Sequence, residues 1–578
     1  MTIDNLNVLR NMLKEDSLDG FLVPRADAWP GEFVSQSAER LAWISGFTGS
    51  NGTGIILQDK AIVLTDGRYT VQVKKQVNSK KWMTGNLIAT PTGKWLAENA
   101  RPESKIGFDP ALYTKTDLST LEQAVSGTGI EFIPVSQNPV DTLWTDRPAL
   151  PTDAVSLFPD TLAGASSAEK RKNLSEVICN NGASAFLMTA PDSIAWLLNI
   201  RGSDVPHTPV PLSYGILNAD GSFLWFISKQ KVPDSIRQHL GQNVEICTPA
   251  LLESALEKTS GILLLDEELT PVKFIQTLKK HDISYQHHED LALWPKAIKN
   301  NSEQKAIRQT HLVDSQALIQ FHNWVKSKEA KNNYDELSIE NHLTELRQAQ
   351  NSFIGNSFSP IVGFKGNGAI IHYRATDETN AQIKGNGLLL VDSGGQYLCD
   401  SYAGTTDITR TFAIGKPSKE HILHYTLVLK SHLTVSMAQF PAGTTGSQID
   451  ALARQILWEH ELDFPHGLGH GVGCFLNVHE KSVRFSTSKE GTYPLKPGML
   501  ISNEPGLYFE DKYGIRIENL LFVQETGKKD NQGRDILCFE TVTFAPYDND
   551  LIDLALLTEK EKLWLNNYNQ KINKITSK

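Results

Sequence analysis

Cysteine is scarce in this 578-residue sequence, which carries five, at positions 179, 247, 399, 474 and 538. The count is odd and no CxxC pair occurs, which excludes a disulfide framework and a cysteine-based zinc site; reduced, mostly buried thiols are expected. No apolar run approaches the ~18 residues that a membrane-spanning helix needs. The opening MTIDNLNVLRNMLKEDSLDG lacks the apolar core of a signal peptide and reads as a polar helix, which points to the cytoplasm. Dense basic blocks are missing too. Lys and Arg number 56 against 66 Asp and Glu, a net charge of −10, which argues against nucleic acid as a main partner. What remains is an ordinary globular composition, 40% apolar and 21% charged. The chain is too long for a single core, since cores stop growing beyond ~250–300 residues, so two to four domains are expected.

An imperfect repeat occupies the first half. Phe21-Leu22-Val23 precedes Leu41-Ala42-Trp43-Ile44-Ser45-Gly46, and Phe186-Leu187-Met188 precedes Ile194-Ala195-Trp196-Leu197-Leu198. Each copy runs on into two short β-rich segments, 54–57 and 61–64 in the first, 214–217 and 223–226 in the second. Strand, helix, then hairpin is the shared order, which predicts two related α/β domains in tandem. The Pro-containing stretch 146–151 fits a linker between them, and 297–302 fits the entry to a third domain, with Ser302 in a helix-cap position. Beyond it, 418–438 and 446–459 read as helices, and 388–391, 408–414 and 515–523 as strands, an α+β pattern with an antiparallel sheet.

Histidines and carboxylates gather in this third region, at His372, Asp392, Asp407, His466, His470, His479, Glu504 and Glu518. Asp392, Glu504 and Glu518 end or interrupt apolar strand-like runs, where an unpaired carboxylate is expensive unless it binds a cation. Four carboxylates and one imidazole suit two divalent first-row metals about 3.5–4 Å apart. His466 and His470 stand four apart, as in an HExxH helix, but the surrounding glycines favour a tight backbone crossing instead. His311, His421, His424, His432 and His460 lie in helical patterns and are assigned to the surface or to packing.

The segments GNGAIIHY (366–373), VDSGGQY (391–397), TTDITRTF (405–412), HGLGHGVGCFLNVHE (466–480), ISNEPGLY (501–508) and YGIRIENLLFV (513–523) resemble the motif series of the Xaa-Pro aminopeptidases (aminopeptidase P), within the creatinase/methionine aminopeptidase, or pita-bread, superfamily. The likeness is to the long three-domain form. It implies two creatinase-type α/β domains, 1–150 and 151–300, then a catalytic pita-bread domain, 301–578. It also implies removal of the first residue from peptides with proline second, by attack of a metal-bridging hydroxide. By resemblance, Asp392 holds one metal, Asp407 and Glu518 bridge, and His470 and Glu504 hold the other. Manganese is expected first, with zinc, cobalt or iron as alternatives. Glu504 would carry the proton, and His372, His466 and His479 are the catalytic-site histidines, of which His372 and His479 also bind substrate. Arg516 matches an arginine beside the bridging glutamate, and Arg68 a substrate-binding arginine of the first domain. A homodimer is implied as well.

Two departures stand out. Asp392 and Asp407 lie 15 positions apart, longer than is usual in the family, so a longer hairpin tip is expected and Asp400 becomes a rival ligand. Lys481-Ser482 replaces the usual Gly-Pro after His-Glu, which touches the wall near His479. Prolidase, a dipeptidase with the same metal set, is the enzymatic alternative; the tandem repeat argues against it. A metal-free protein-binding homologue is the other, and the intact ligand set argues against that.

Overall fold

The computed structural model describes residues 4–327 and 334–576. The chain forms two compact units, Met1–Phe158 with Ala165–Ala292, and Pro159–Gly164 with Leu293–Lys578.

The first unit contains the repeat. Strands β1 to β6 (Gly20–Pro24, Thr53–Leu57, Ala61–Thr65, Met83–Asn86, Lys105–Phe108, Glu131–Pro134) form a sheet in the order β4-β3-β2-β1-β5-β6. Strands β7 to β12 (Ala185–Met188, Tyr214–Asn218, Phe223–Phe226, Val244–Cys247, Leu263–Leu265, Tyr285–His287) repeat it as β10-β9-β8-β7-β11-β12. The senses match as well: the central strand pairs antiparallel with its hairpin neighbour and parallel with the strand on its other side. The polar N-terminal segment forms helix α1 (Asn5–Glu15), which buries Leu6, Leu9 and Leu13. The matching Leu-Ala-Trp-Ile and Ile-Ala-Trp-Leu segments are helices α2 (Arg40–Ser45) and α3 (Pro191–Leu198). Apolar residues fill both faces of each sheet, as parallel strands require.

The long helix of the second unit is α4 (Asn301–Lys326). Its cap is Asn300, not Ser302. The Asn300 side chain accepts from the amides of Ser302 (2.9 Å) and Glu303 (3.1 Å), and the Asn300 amide donates to Glu303 Oε2 (3.0 Å). That reciprocal box needs an acid three residues on, which Asn300 has. Helices α5 (Glu336–Gln348), α6 (Lys419–Ser436), α7 (Gly446–Trp458) and α8 (Glu559–Thr576) follow, α6 and α7 as the periodicity predicts.

The strands of this unit are β13 (Phe353–Asn356), β14 (Ile361–Phe364), β15 (Gly387–Ser393), β16 (Gly395–Leu398), β17 (Ala403–Thr405), β18 (Ile408–Ile414), β19 (Gln439–Pro441), β20 (Gly469–Gly471), β21 (Glu480–Phe485), β22 (Leu500–Asn503), β23 (Gly506–Phe509), β24 (Tyr513–Arg516), β25 (Asn519–Lys529) and β26 (Asp535–Thr541). They form sheets β13-β16-β17, β14-β15-β18, β19-β26-β25-β22-β20-β21 and β23-β24. Among the described residues every paired strand of this unit is antiparallel, as the alternating patterns predict.

Two further expectations change, and that of a longer hairpin tip holds. The single strand expected over 515–523 is two strands. Tyr513–Arg516 pairs with β23 while Asn519 onwards pairs with β22, so the chain breaks at Ile517-Glu518 to change partners. The extra residues between Asp392 and Asp407 form the β16–β17 hairpin, with Asp400 exposed at its tip. The cysteines are less buried than expected: only Cys247 and Cys474 are buried, and Cys179 is exposed.

Candidate metal centre

Five segments converge to build the site. Asp392 sits near the end of β15, opposite Thr409 of β18, and Asp407 stands immediately before β18. His470 is the middle residue of β20. Glu504 directly follows β22, its amide bonded to the Leu468 carbonyl, and Glu518 falls at the break before β25, its amide bonded to the Thr409 carbonyl. The glycines around His470 do permit a close crossing. A Cβ on Gly469 would lie 1.9 Å from the Ser502 carbonyl oxygen.

Three clusters of ligand atoms result, each within 4.8 Å: Asp392, Asp407 and Glu518; His470, Glu504 and Glu518; and Asp407, His470 and His479. Asp392, Asp407, His470 and Glu518 are buried. Arg516 supplies the neighbouring positive charge. Its Nη2 donates to Asp392 Oδ2 (2.5 Å), its Nη1 to the Tyr508 hydroxyl (2.8 Å) and its Nε to Thr409 Oγ1 (3.2 Å). Thr409 in turn donates to Glu518 Oε2 (2.8 Å). One arginine does not balance four carboxylates. Burial, then Glu518, Asp392 and Glu504, push the Asp407 carboxyl well above its ordinary range. Burial, then Glu504 and Asp392, raise Glu518. Burial, opposed by Arg516, lifts Glu504 to about 7.

The residues fit divalent cations. Asp392 Oδ1 is buried and has no hydrogen-bond partner, so an acceptor is left over for an ion. His470 Nδ1 donates to the Gly471 carbonyl (3.0 Å), which in the neutral ring leaves the Nε2 lone pair facing Asp407 Oδ2 (3.5 Å) and Glu504 Oε1 (3.4 Å). A main-chain carbonyl that fixes the tautomer in this way is typical support for a metal-binding imidazole.

The other histidines divide. The His479 ring stands edge-on to His470, centroids 4.4 Å apart, and shares a cluster with it. The buried Glu480 that follows pairs with Lys299 Nζ at 2.7 Å. His466 lies one step out: its Nδ1 donates to the Gly467 carbonyl (2.7 Å), and its Nε2 accepts from the Tyr508 hydroxyl (2.9 Å). His372 lies half-buried in a turn, not a strand; the preceding carbonyl, of Ile371, is 3.5 Å from Arg516 Nη2. Asp400 belongs to none of the three clusters. In the first unit the Arg68 guanidinium grips Asp66, Nε to Oδ1 at 3.0 Å and Nη2 to Oδ2 at 2.7 Å.

Sequence reasoning passed over Tyr508 and Thr409, though both lie inside quoted motifs, and it left His432 among the packing or surface residues. His432 is fully buried. Burial and the charge of Arg410 hold it down at about 3, so the ring is neutral at ordinary pH.

The Metallopeptidase family M24 profile matches residues 305–525, and the C-terminal region profile of the same peptidases matches 535–578. The Creatinase/Prolidase N-terminal domain is matched twice, over 6–143 and 146–303. A Neurospora crassa protein named probable Xaa-Pro aminopeptidase P is 38% identical over 99% of this chain and 86% of its own length. Arabidopsis thaliana aminopeptidase P2 is 35% identical over 98% and 85%. The crystal structure of X-prolyl aminopeptidase from Caenorhabditis elegans, described as a cytosolic enzyme with a di-nuclear active site, superposes with a TM-score of 0.92 at 32% identity, covering 100% of this chain and 96% of that one.

Proposed function

The chain belongs to metallopeptidase family M24, in the group with two creatinase-type N-terminal domains, and from that premise we propose that it removes the N-terminal residue from peptides of three or more residues with proline second. The observation that carries this reading is that Asp407, Glu518 and His470 each belong to two of the three ligand clusters, and of these the two carboxylates have a second oxygen to share while His470 Nδ1 is held by the Gly471 carbonyl. Asp392 would complete one ion's set, and His470 and Glu504 the other's. When bound, the two ions supply Lewis acidity and a water nucleophilic at neutral pH. Manganese is the proposed metal, since carboxylate-rich sets suit it.

The chain's own residues do the rest. Glu504 accepts the proton of the attacking water and passes it to the leaving prolyl nitrogen. His372 and His479 hydrogen-bond the carbonyl oxygen of the first residue as it gains charge. His466, tied through Tyr508 to Arg516, orients the substrate at the prolyl ring. Proline makes a tertiary amide without an N–H, so a site that works through the carbonyl oxygen loses nothing to it. Arg68 is proposed as a substrate-binding residue of the first domain. Domain limits of 1–150, 151–300 and 301–578, a homodimer and a cytoplasmic address complete the proposal; among the described residues no helix is long and apolar enough to cross a membrane.

The test is turnover of Mn2+-loaded protein on Xaa-Pro-Yaa, Xaa-Ala-Yaa and Xaa-Pro peptides. Hydrolysis confined to the first, with release of the first residue, is expected. Equal turnover of the alanine tripeptide, or activity on dipeptides alone, would refute the specificity.

A further inference from the structure

Asn503 and Asn519 face each other across β22 and β25, one immediately before Glu504 and the other immediately after Glu518. Both are fully buried and both bond to one imidazole, that of His432 on α6. His432 Nδ1 donates to the Asn503 carbonyl (3.1 Å), and the Asn503 side-chain amide returns a bond to the His432 carbonyl (2.9 Å). With its proton on Nδ1, the ring accepts at Nε2 from the Asn519 side-chain amide, and the Tyr547 hydroxyl stands beside that nitrogen, each at 3.2 Å.

The second half of the network runs through Arg410. Its Nη1 donates to the Glu518 carbonyl (2.6 Å), and its Nη2 to Asn519 Oδ1 (2.8 Å) and to the Tyr568 hydroxyl of α8 (3.0 Å). Glu518 is therefore held on its main chain from one side, while Thr409 holds its carboxylate from the other. Through His432 the same network reaches the main chain before Glu504.

We propose that His432 is a positioning residue for the metal centre, setting the separation of Glu504 and Glu518 by bonding to the residue adjacent to each. A ligand set binds tightly only when its donor atoms are held in place before the ion arrives, and supporting bonds do that holding. In a fully buried network each bond lost leaves an unsatisfied partner, which moves the strands that carry the ligands. Asn503 and Asn519 lie outside the proposed ligand set; they transmit position from α6 to the two carboxylates. The inference rests on the ligand set proposed above.

The experiment measures the Mn2+ dissociation constant of metal-free, full-length protein by chelator competition, alongside its thermal melting without metal. Wild type comes first: failure to bind Mn2+ would sink the ligand reading itself, before any variant is considered. His432→Leu should then weaken Mn2+ binding about 10–100-fold, the usual effect of losing support behind a ligand. KM at saturating metal should hold. His432→Gln, which can donate and accept, should recover most of the affinity. His432→Leu protein that melts lower yet binds Mn2+ as wild type does would overturn the inference, because packing alone would explain that result. Should His432→Leu not fold, Asn519→Leu takes its place: weaker Mn2+ binding supports the inference and unchanged binding overturns it.

Discussion

Two groups of buried carboxylates lie almost side by side in the second unit, and they behave oppositely. Asp314 on α4 accepts from Arg347 on α5 (2.8 and 3.3 Å), the Tyr397 hydroxyl (2.7 Å) and Thr406 Oγ1 (2.8 Å). Burial works to raise its pKa, but the charge of Arg347 and these donors outweigh it and hold the carboxyl below its usual range. One residue beyond Thr406, Asp407 is equally enclosed but faces three other carboxylates, which with burial outweigh the opposing charge of Arg516, and its pKa rises. Burial is common to both, so burial does not identify a functional carboxylate. The balance of donors does: Asp314 is a satisfied strut between helices, whereas the carboxylates around Asp407 outnumber the cationic side chains beside it.

The contrast breaks most directly at Asp407. Asp407→Asn is expected to lower turnover by about three orders of magnitude or more and to cut bound metal, since the ions supply several kcal/mol of transition-state stabilisation. Asp400→Asn, at the exposed hairpin tip, should change neither. Elemental analysis with turnover on an Xaa-Pro tripeptide decides, and the reverse pattern would show that the wrong aspartate has been assigned.

At the strut the expected loss is of stability. Asp314→Ala leaves Arg347 buried and unpaired, which should cost about 3–5 kcal/mol in denaturant unfolding, while whatever folds still binds its metals. A variant as stable as wild type would mean that the pair is no strut.

His479→Ala separates chemistry from metal binding. A drop of about 10²–10³ in kcat with metal content retained is expected for loss of an oxyanion donor. Equal losses in both would make His479 a ligand.

The smallest effect is a pH dependence confined to the metal-free form. Glu504 is raised from 4.5 to about 7, so its contribution is full below the unfolded value and is lost as pH rises through about 7, and Asp407 and Glu518, also raised, act with the same sign. His432, depressed to about 3, has the opposite sign, its contribution falling away as pH drops below 6.5, but it acts in both forms. The gap in melting temperature between metal-free and Mn2+-loaded protein should therefore widen from pH 5 to pH 8. A constant gap would remove the proposed charge imbalance.

Local pattern explains what was legible beforehand. The tandem repeat, α6, α7 and the strand at 408–414 show as runs of period two or of helical spacing. The candidate ligands stood out because carboxylates in apolar strand runs are expensive, and a family resemblance then told them apart. What stayed hidden depends on partners distant in the chain. Asp314 and Arg347 are 33 residues apart on two helices, where each alone looks like a solvated charge. His432 reaches residues 71 and 87 positions away. The break at Ile517-Glu518 follows from a change of strand partner, which no periodicity records.

The hairpin between Asp392 and Asp407 has a consequence for how this sequence can drift. Leu398 pairs with Ala403, the Cys399 amide bonds to the Tyr402 carbonyl, and only the tip between them lies outside the ladder. Length added or removed there is absorbed beyond the last rung and does not reach either aspartate. The spacing of the two aspartates along the chain is thereby uncoupled from their spacing in space. The tip is a place where insertions and deletions can accumulate silently, and a natural point at which to graft a tag or fluorophore.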